Sequence, residues 1–575
     1  MTTFKKENAC ASEAVDAFGG IDRSGLIGRL SEAWDIDNFR ILADGSLDKR
    51  EGYELRHTFS SPVDAVYPVP GEEGSVYVLT GGCVYLMALD DGAARLLGRA
   101  SDTSGGCFFT QGGTLYLLAG GNLSAVTTAG LLPVEGYIPL YGRDWSEEGG
   151  EVAEPRNLLS RRVRLSYRLR EPSVVLKTGF SGFSVESLSV DGLPLTTAYA
   201  KGQFICLPGS FPEDTRIETV IVFDADCEET EALLACRGAL TTGQGERETA
   251  VLCGCDSLFF STHVDADGLA ESTACRPGSM GIYFPEGRRV RPGLGTGDEE
   301  ESAYADTARP LYVAGNEDTL LVSGRERSCL LWRDGGLTAL PGAPGADCPG
   351  ICVGNDVYIV SRRGLFRVSL RDGGFKCLSL PLDDPDFPGE SPVMGFDPRY
   401  SELLVSSADD TEGRVWVWSL SRECWYRFSS VGAQGWFTAY TAGPVCGECA
   451  APGFFAESGV FVFVPGRGRD RVLGGAELEI SATFTSRWSG MGADDCVKRL
   501  RALRLCSQGD EKLSLLLSDP AGVLAKVSIP AGDGRSLDLH RRGLRTGRFG
   551  HVRLGISGWG TGRMRIFGVA VYAIK

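Results

Sequence analysis

Apolar residues in this chain come in short bursts separated by turn residues. "GSVYVLTGGCVYLMAL" (74–89) is a strand, a Gly-Gly turn and a second strand, and "GGTLYLLAGGNLSAVTTAG" (112–130) repeats the arrangement. The same phrase returns in 250–264, 318–340, 351–380, 402–430 and 459–475. These units recur roughly every 35–45 residues, the period of a β-propeller blade. In "DVYIVSRRGLFRVSL" the positions Val357, Ile359, Leu365, Phe366 and Val368 are apolar, broken at Arg362-Arg363-Gly364. Near-continuous apolar strands are buried on both faces, as radial stacking of blades requires.

Two regions depart from this phrase. Residues 141–231 open with polar "YGRDWSEEGGEVAEPRN" and then alternate, as at Val163, Leu165 and Tyr167 and at Val175 and Leu176. Alternation predicts sheets with one dry face, hence a small β module inserted into the propeller. The C-terminal hundred residues also alternate; Val552, Leu554 and Ile556 form one inward set. They predict a β-sandwich. Near the start, Asp44-Gly45 between "FRIL" and "SLDKREGY" predicts a two-residue hairpin within 38–53.

The expected fold is therefore all-β: a propeller of about seven blades (six is the alternative), an inserted small β module and a C-terminal β-sandwich. The boundaries are an N-terminal arm and lead-in hairpin (1–55), a first propeller segment (56–140), the insertion (141–231), a second propeller segment (232–475) and the sandwich (476–575).

Composition sharpens this picture. The 77 glycines among 575 residues are about twice the usual share and fit a turn-rich β protein. The net charge of −17 disfavours a diffuse grip on nucleic acid. Yet residues 481–575 carry 16 Lys/Arg against 7 Asp/Glu, about +9, which leaves about −26 elsewhere. That asymmetry suggests complementarity between regions of the chain or with a partner. No apolar run reaches the roughly 18 residues of a membrane span, and the N-terminus lacks a secretory apolar core. A cytoplasmic start is expected, with the 18 cysteines as free, mostly buried thiols.

The residues that usually carry chemistry are sparse. The four histidines, His57, His263, His540 and His551, share no ligand spacing. Cys446–Cys449 and Cys253–Cys255 are lone pairs, half a zinc site each. "GLGTGD" (293–298) lacks a strand-to-helix setting, and no GxSxG elbow occurs. Asp265 and Asp267, or Asp383, Asp384 and Asp386, could supply calcium oxygens, but such loops more often bond their own backbone. Trp416, Trp418, Trp425 and Tyr426 could stack on sugars; inter-blade core is the better expectation. No catalytic residue, metal ligand or cofactor is expected.

Three stretches carry a resemblance. "NFRILADGSLDKREGY" (Asn38, Gly45, Leu47, Arg50, Gly52, Tyr53), "EPRNLLSRRVRLSYRL" (Asn157, Leu158, Leu159) and "SRWSGMGADDCVKRLRAL" (Trp488, Lys498) occur in that order. Together they resemble propeller-containing virion structural proteins of tailed bacteriophages and prophages. The resemblance implies a non-enzymatic tail tube, nozzle or head-to-tail component, assembled as a sixfold homo-oligomeric ring. It implies portal, connector or other tail proteins as partners, DNA only as passing genome, no membrane, and synthesis in the bacterial cytoplasm before assembly into the virion. Asn38, Gly45, Leu47, Arg50, Gly52 and Tyr53 would be structural, anchoring the lead-in hairpin. The basic sandwich would dock on an acidic neighbour, or on another subunit's propeller, through Arg541, Arg542, Arg545 and Arg548. A receptor- or glycan-binding tail protein is the alternative, and a propeller glycoside hydrolase a weaker one.

Overall fold

The computed structural model describes residues 10–70, 72–101, 105–134, 136–146, 150–243, 248–254, 256–262, 282–292, 311–442, 448–492, 496–530, 533–540 and 548–574. Seven four-stranded antiparallel units follow one another, with strands within 63–99, 107–133, 238–290, 312–339, 351–377, 392–428 and 435–463, the last unit taking its fourth strand from Tyr53–Thr58. The first strands of successive sheets lie against one another from the second sheet round to the first. The first and second sheets meet through Leu79, Val84, Leu115 and Leu117. The molecule is thus a seven-bladed β-propeller.

Gly-Gly turns shape the early blades. Gly81 and Gly82 join Thr80 to Cys83 with φ of +53° and +74°, the left-handed region that only glycine enters cheaply. In blade five, Val357, Ile359, Leu365 and Val368 are at no more than 1% exposure, as continuous apolar patterning predicts.

The seventh blade differs from the sequence expectation. The pattern at 459–475 predicts two blade strands. Only Gly459–Phe463 serves as one; its outer neighbour is Tyr53–Thr58, in antiparallel register from Phe463↔Tyr53 to Gly459↔Thr58. Arg469–Arg471 instead forms a two-stranded ribbon with Glu477–Glu479. A ring must pair its two ends, and a strand from the N-terminal side does this by a contact that no local pattern reveals.

The N-terminal arm also differs from expectation. It is not a separate segment but belongs to the sandwich. Ala33–Asp37 lies between the outer strand of blade six, Cys424–Phe428, and Ala482–Ser486. Blade six therefore continues through Arg553–Trp559, Lys512–Asp519 and Gly522–Pro530 into one nine-stranded sheet. The facing sheet contains Phe39–Ile41, Leu47–Lys49, Met564–Ile574, Lys498–Gly509 and Asp533–His540, with Cys10–Val15 also on Met564–Ile574. The hairpin joins Ile41↔Leu47 through a longer loop than Asp44-Gly45 alone. Leu42 N–H bonds Ser46 O at 2.9 Å, and Gly45, at φ +82°, bonds back to Leu42 O at 2.8 Å. This is a three-residue loop, the next commonest hairpin solution after two.

The insertion leaves the propeller between blades two and three. Its strands, Leu140–Trp145 to Arg216–Phe223, form a five-stranded and a three-stranded sheet around Val163, Leu165, Tyr167, Leu176 and Ile205. A one-turn helix, Thr230–Leu234, returns the chain to blade three. Among the described residues, no helix is long and apolar enough to cross a membrane.

Candidate functional site

The richest concentration of buried polar chemistry lies where the N-terminal strands, blades six and seven and the sandwich meet. Asn38 sits there at φ +57° and 4% exposure. Its Nδ2 donates to Ser429 Oγ and Ser481 O, both at 2.8 Å. Its Oδ1 accepts from Arg50 Nε at 2.7 Å and Ser429 N–H at 3.0 Å. Asparagine tolerates the left-handed conformation, and here it also uses its full hydrogen-bonding capacity.

Arg50 forms the centre of this joint. Its two terminal nitrogens grip both oxygens of Asp470 end-on, at 2.9 and 2.6 Å, and also donate to the carbonyls of Glu51 and Ser429 at 3.0 Å. With the Nε bond to Asn38, all three guanidinium nitrogens are occupied in a site of 2% exposure. A planar fork suits this geometry as lysine could not. Gly52 follows because a Cβ would lie 1.9 Å from Arg469 O. Tyr53 donates its hydroxyl to Ser430 O at 2.7 Å and packs edge-on against Phe454, Phe461 and Phe463. Leu47 is fully buried in the common core. A Cβ on Gly45 would meet Ala17 Cβ at 2.5 Å.

Two further ion-pair groups line the same joint. Arg40 Nε donates to Glu402 at 2.6 Å while its guanidinium lies 3.7 Å over the Tyr400 ring. Tyr426 donates its hydroxyl to the same carboxylate. Burial pushes the Glu402 carboxyl up, and the Arg40 charge pulls it partly back. Lys49 Nζ reaches Glu511 at 2.6 Å and Gly560 O at 2.8 Å. Buried pairs of this kind add little net stability over apolar packing, but losing one partner strands a charge. Arg40–Glu402 therefore fixes how blade six sits against the sandwich, while Lys49–Glu511 pins the hairpin within the sandwich itself.

The sequence singled out one side of one contact, Arg50; Arg40 and Lys49 were not marked. Asp470, Glu402 and Glu511 stand hundreds of residues from Arg50, Arg40 and Lys49. The signal was faint: a charge placed within or beside an apolar strand, as in "ELLVSS" at Glu402.

Of the other two resembling stretches, the first lies at the root of the insertion and the second within the sandwich. Asn157 is fully buried; its Nδ2 donates to Tyr137 O and Ile282 O at 2.9 Å, and its Oδ1 accepts from Leu159 and Phe284 N–H at 3.1 Å. Leu158 is buried with Leu233, Phe259 and Phe284, and Leu159 packs against that cluster. Lys498, 1% exposed, donates Nζ to Cys496 O and Gly550 O at 3.0 Å. Trp488 exchanges backbone bonds with the N-terminal segment, receiving one from Gly28 N–H at 2.8 Å. The Arg553 guanidinium lies 4.5 Å over its ring.

Remaining candidates fall as follows. Trp416, Trp418, Trp425 and Tyr426 are all at most 7% exposed, and Trp425 Nε1 donates to Leu378 O at 2.7 Å. Their rings are packed into the core and offer no face to a sugar. Asp384 pairs with Arg23 at 3.4 Å and caps the Asp386 N–H at 3.0 Å. Asp383 holds a left-handed turn at φ +43°. Among the described residues, no three His, Cys, Asp or Glu side chains group as metal ligands. The cysteines with described side chains are all free, and burial pushes the Cys253 and Cys348 thiols up to about 12. Arg548 is exposed beside Arg499 in a short strand; Arg541, Arg542 and Arg545 lie outside the described residues, as do His263, Asp265, Asp267, Cys255, Cys446 and 293–298.

No protein-family model matches the chain, and no curated protein matches its sequence. Among solved structures, the AfRom2 CNH domain aligns at 10% identity and TM-score 0.35, covering 72% of this chain and 99% of its own. Virginiamycin B lyase from Staphylococcus aureus aligns at 9% identity and TM-score 0.35, covering 72% and 98%. The WD40 domain of SCAP from fission yeast aligns at 7% identity and TM-score 0.29, covering 74% and 98%. The blade count rests on the strand order of this chain, independently of these alignments.

Proposed function

We propose that this protein is a non-enzymatic structural subunit of a tailed phage or prophage particle, in its tail tube, nozzle or head-to-tail connection. One observation carries the reading. In two of the three stretches through which the chain resembles such proteins, the key residues are committed to joints: Arg50 and Asn38 between propeller and sandwich, Asn157 at the root of the insertion. A motif whose polar atoms are consumed in holding domains at fixed angles serves shape rather than turnover. A rigid propeller with two appended β-layers offers many surfaces for repeated contacts between copies, as a homo-oligomeric ring would need. In this reading the portal, connector or other tail proteins are its neighbours, and its net charge of −17 lets genome DNA pass without adhering.

The test is co-purification. Particles induced from the strain carrying the gene are banded on a density gradient and their proteins counted by mass spectrometry. A fixed copy number near six, or a multiple, is the expected result. Absence from intact particles overturns the reading and transfers weight to receptor or glycan binding, to be tested by retention on cell-wall glycans.

A further inference from the structure

One face of the propeller carries an uneven distribution of charge. It is built from the hairpins joining the second and third strands of each blade. In blades one and two these hairpins are Gly81-Gly82 and Gly120-Gly121. In blade six the turn holds Asp409, Asp410 and Glu412, and in blade seven Glu457. Among the described residues, blades four and five place arginine pairs there: Arg325 and Arg327 between Ser323 and Ser328, and Arg362 and Arg363 between Ser361 and Gly364.

Nothing in hairpin geometry asks for arginine: none of the four has a positive φ, and turns of that kind accept most residues. All four side chains are exposed, and none makes an ion pair or side-chain hydrogen bond among the described residues. In a protein of net charge −17, four cations gathered in one place with no partner among the described residues need a reason.

They line a single concavity of about 870 Å³. Its floor is the loop from blade four to blade five, which is pinned to both hairpins. Ser328 Oγ donates to Pro344 O at 2.6 Å, Ala346 N–H to Gly324 O at 3.0 Å, and Asp347 N–H to Val360 O at 2.8 Å. A Cβ on Gly345 would stand 2.2 Å from Gly324 O, so glycine allows the loop to lie directly on the hairpin. Rigid turns on a rigid floor hold the arginine roots in place before any ligand arrives. Glu326 and Asp347 are the acidic groups in the lining, which leaves an excess of two positive charges.

We infer that this concavity binds a linear anion bearing consecutive phosphate groups. Each guanidinium presents a planar fork that matches a phosphate's oxygens two at a time. Two arginine pairs on neighbouring hairpins offer consecutive positions, which a chain of phosphates fills better than one carboxylate does. The adjoining concavity, which shares Arg362, is lined by Asp384, Asp386, Glu390, Asp409 and Asp410. That acidic wall bounds the site on the blade-six side and confines the anion to blades four and five. This inference does not depend on a virion role.

The full-length protein is titrated with inorganic tripolyphosphate at low salt by calorimetry. R325A/R327A and R362A/R363A are titrated alongside, with unchanged circular dichroism and melting temperature as the folding control. Saturable binding is expected, weakened about tenfold or more in each double variant. A single-stranded thymidine oligonucleotide then separates the sources of phosphate. If it binds too, log affinity should fall against log salt with a slope of about −3 for four phosphate contacts, identifying a nucleic-acid backbone. If only tripolyphosphate binds, the ligand is a short polyphosphate. Either result supports the site. No binding of tripolyphosphate, equal binding by the double variants, or equally tight binding of poly-glutamate overturns it.

Discussion

The inserted module and the C-terminal sandwich are both β-layers attached to one propeller, yet they are joined to it in opposite ways. The insertion keeps its own core of Val163, Leu165, Tyr167 and Ile217, separate from any blade. Its root is a single buried asparagine and a short helix. The sandwich shares both a sheet and a core with the propeller: Trp425 and Phe428 of blade six belong to one cluster with Leu503, Leu515 and Ile566. Two buried ion pairs, Arg40–Glu402 and Arg50–Asp470, cross or border that boundary. An appendage on a stalk can fold and move as its own unit, whereas one built by extending a blade is energetically continuous with that blade.

The largest expected effect breaks the shared joint. Arg50→Ala leaves Asp470 buried without a counter-charge and should cost about 3–5 kcal/mol in denaturant unfolding. Hydrogen exchange should rise together in blades six and seven and the sandwich, while the insertion stays protected. If insertion amides are released equally, the two appendages are not distinct. Leu165→Ala tests the converse. It should cost about 2–5 kcal/mol by leaving a cavity, with faster exchange confined to 140–223. Propagation into the blades would show a stalk stiffer than its contacts suggest.

Two pH experiments sharpen the contrast between buried and exposed charge. Burial raises the Glu402 carboxyl above its ordinary value. Its contribution to stability is therefore fully present below the unfolded carboxyl value and is lost as pH rises through the folded one. Glu402→Gln should flatten the melting temperature across that window. Asp44, on the exposed hairpin loop, behaves oppositely. A hydrogen bond from Ser46, and then the Arg565 charge, outweigh burial and hold its carboxyl below the usual range. Its contribution is present above the unfolded value of 3.8 and is lost as pH falls through the lowered one. Asp44→Asn should be the mildest change, about 1 kcal/mol or less near neutral pH and vanishing in acid.

Much of this architecture was legible in the sequence because it is local. Blade strands repeat with their turns, and the alternation at Val163, Leu165 and Tyr167 marked the insertion's dry face. The Asn38, Arg50, Gly52 and Tyr53 positions stood out through the resemblance alone, and their partners did not stand out. What escaped was pairing at long range. Tyr53–Thr58 closes blade seven, and Ala33–Asp37 bridges blade six to Ala482–Ser486; neither carries a local mark of its partner. The arginine site was missed for a similar reason. Arg362-Arg363 read as a turn break, and Arg325 and Arg327 lie in another unit of the repeat. Of the basic cluster that did stand out, Arg548 is exposed, and Arg541, Arg542 and Arg545 lie outside the described residues.

Closure by Tyr53–Thr58 has a consequence for how the chain is born. That strand leaves the ribosome about 400 residues before Gly459–Phe463, the partner it must find. At about 5–20 residues per second, it waits roughly 20–80 s with an unpaired edge. Cys10–Val15 waits longer still for Met564–Ile574. The insertion, whose strands all lie within 140–223, can be finished during that interval. Synthesis thus orders assembly from the periphery inward, and the nascent chain needs its earliest strands shielded until its latest ones emerge.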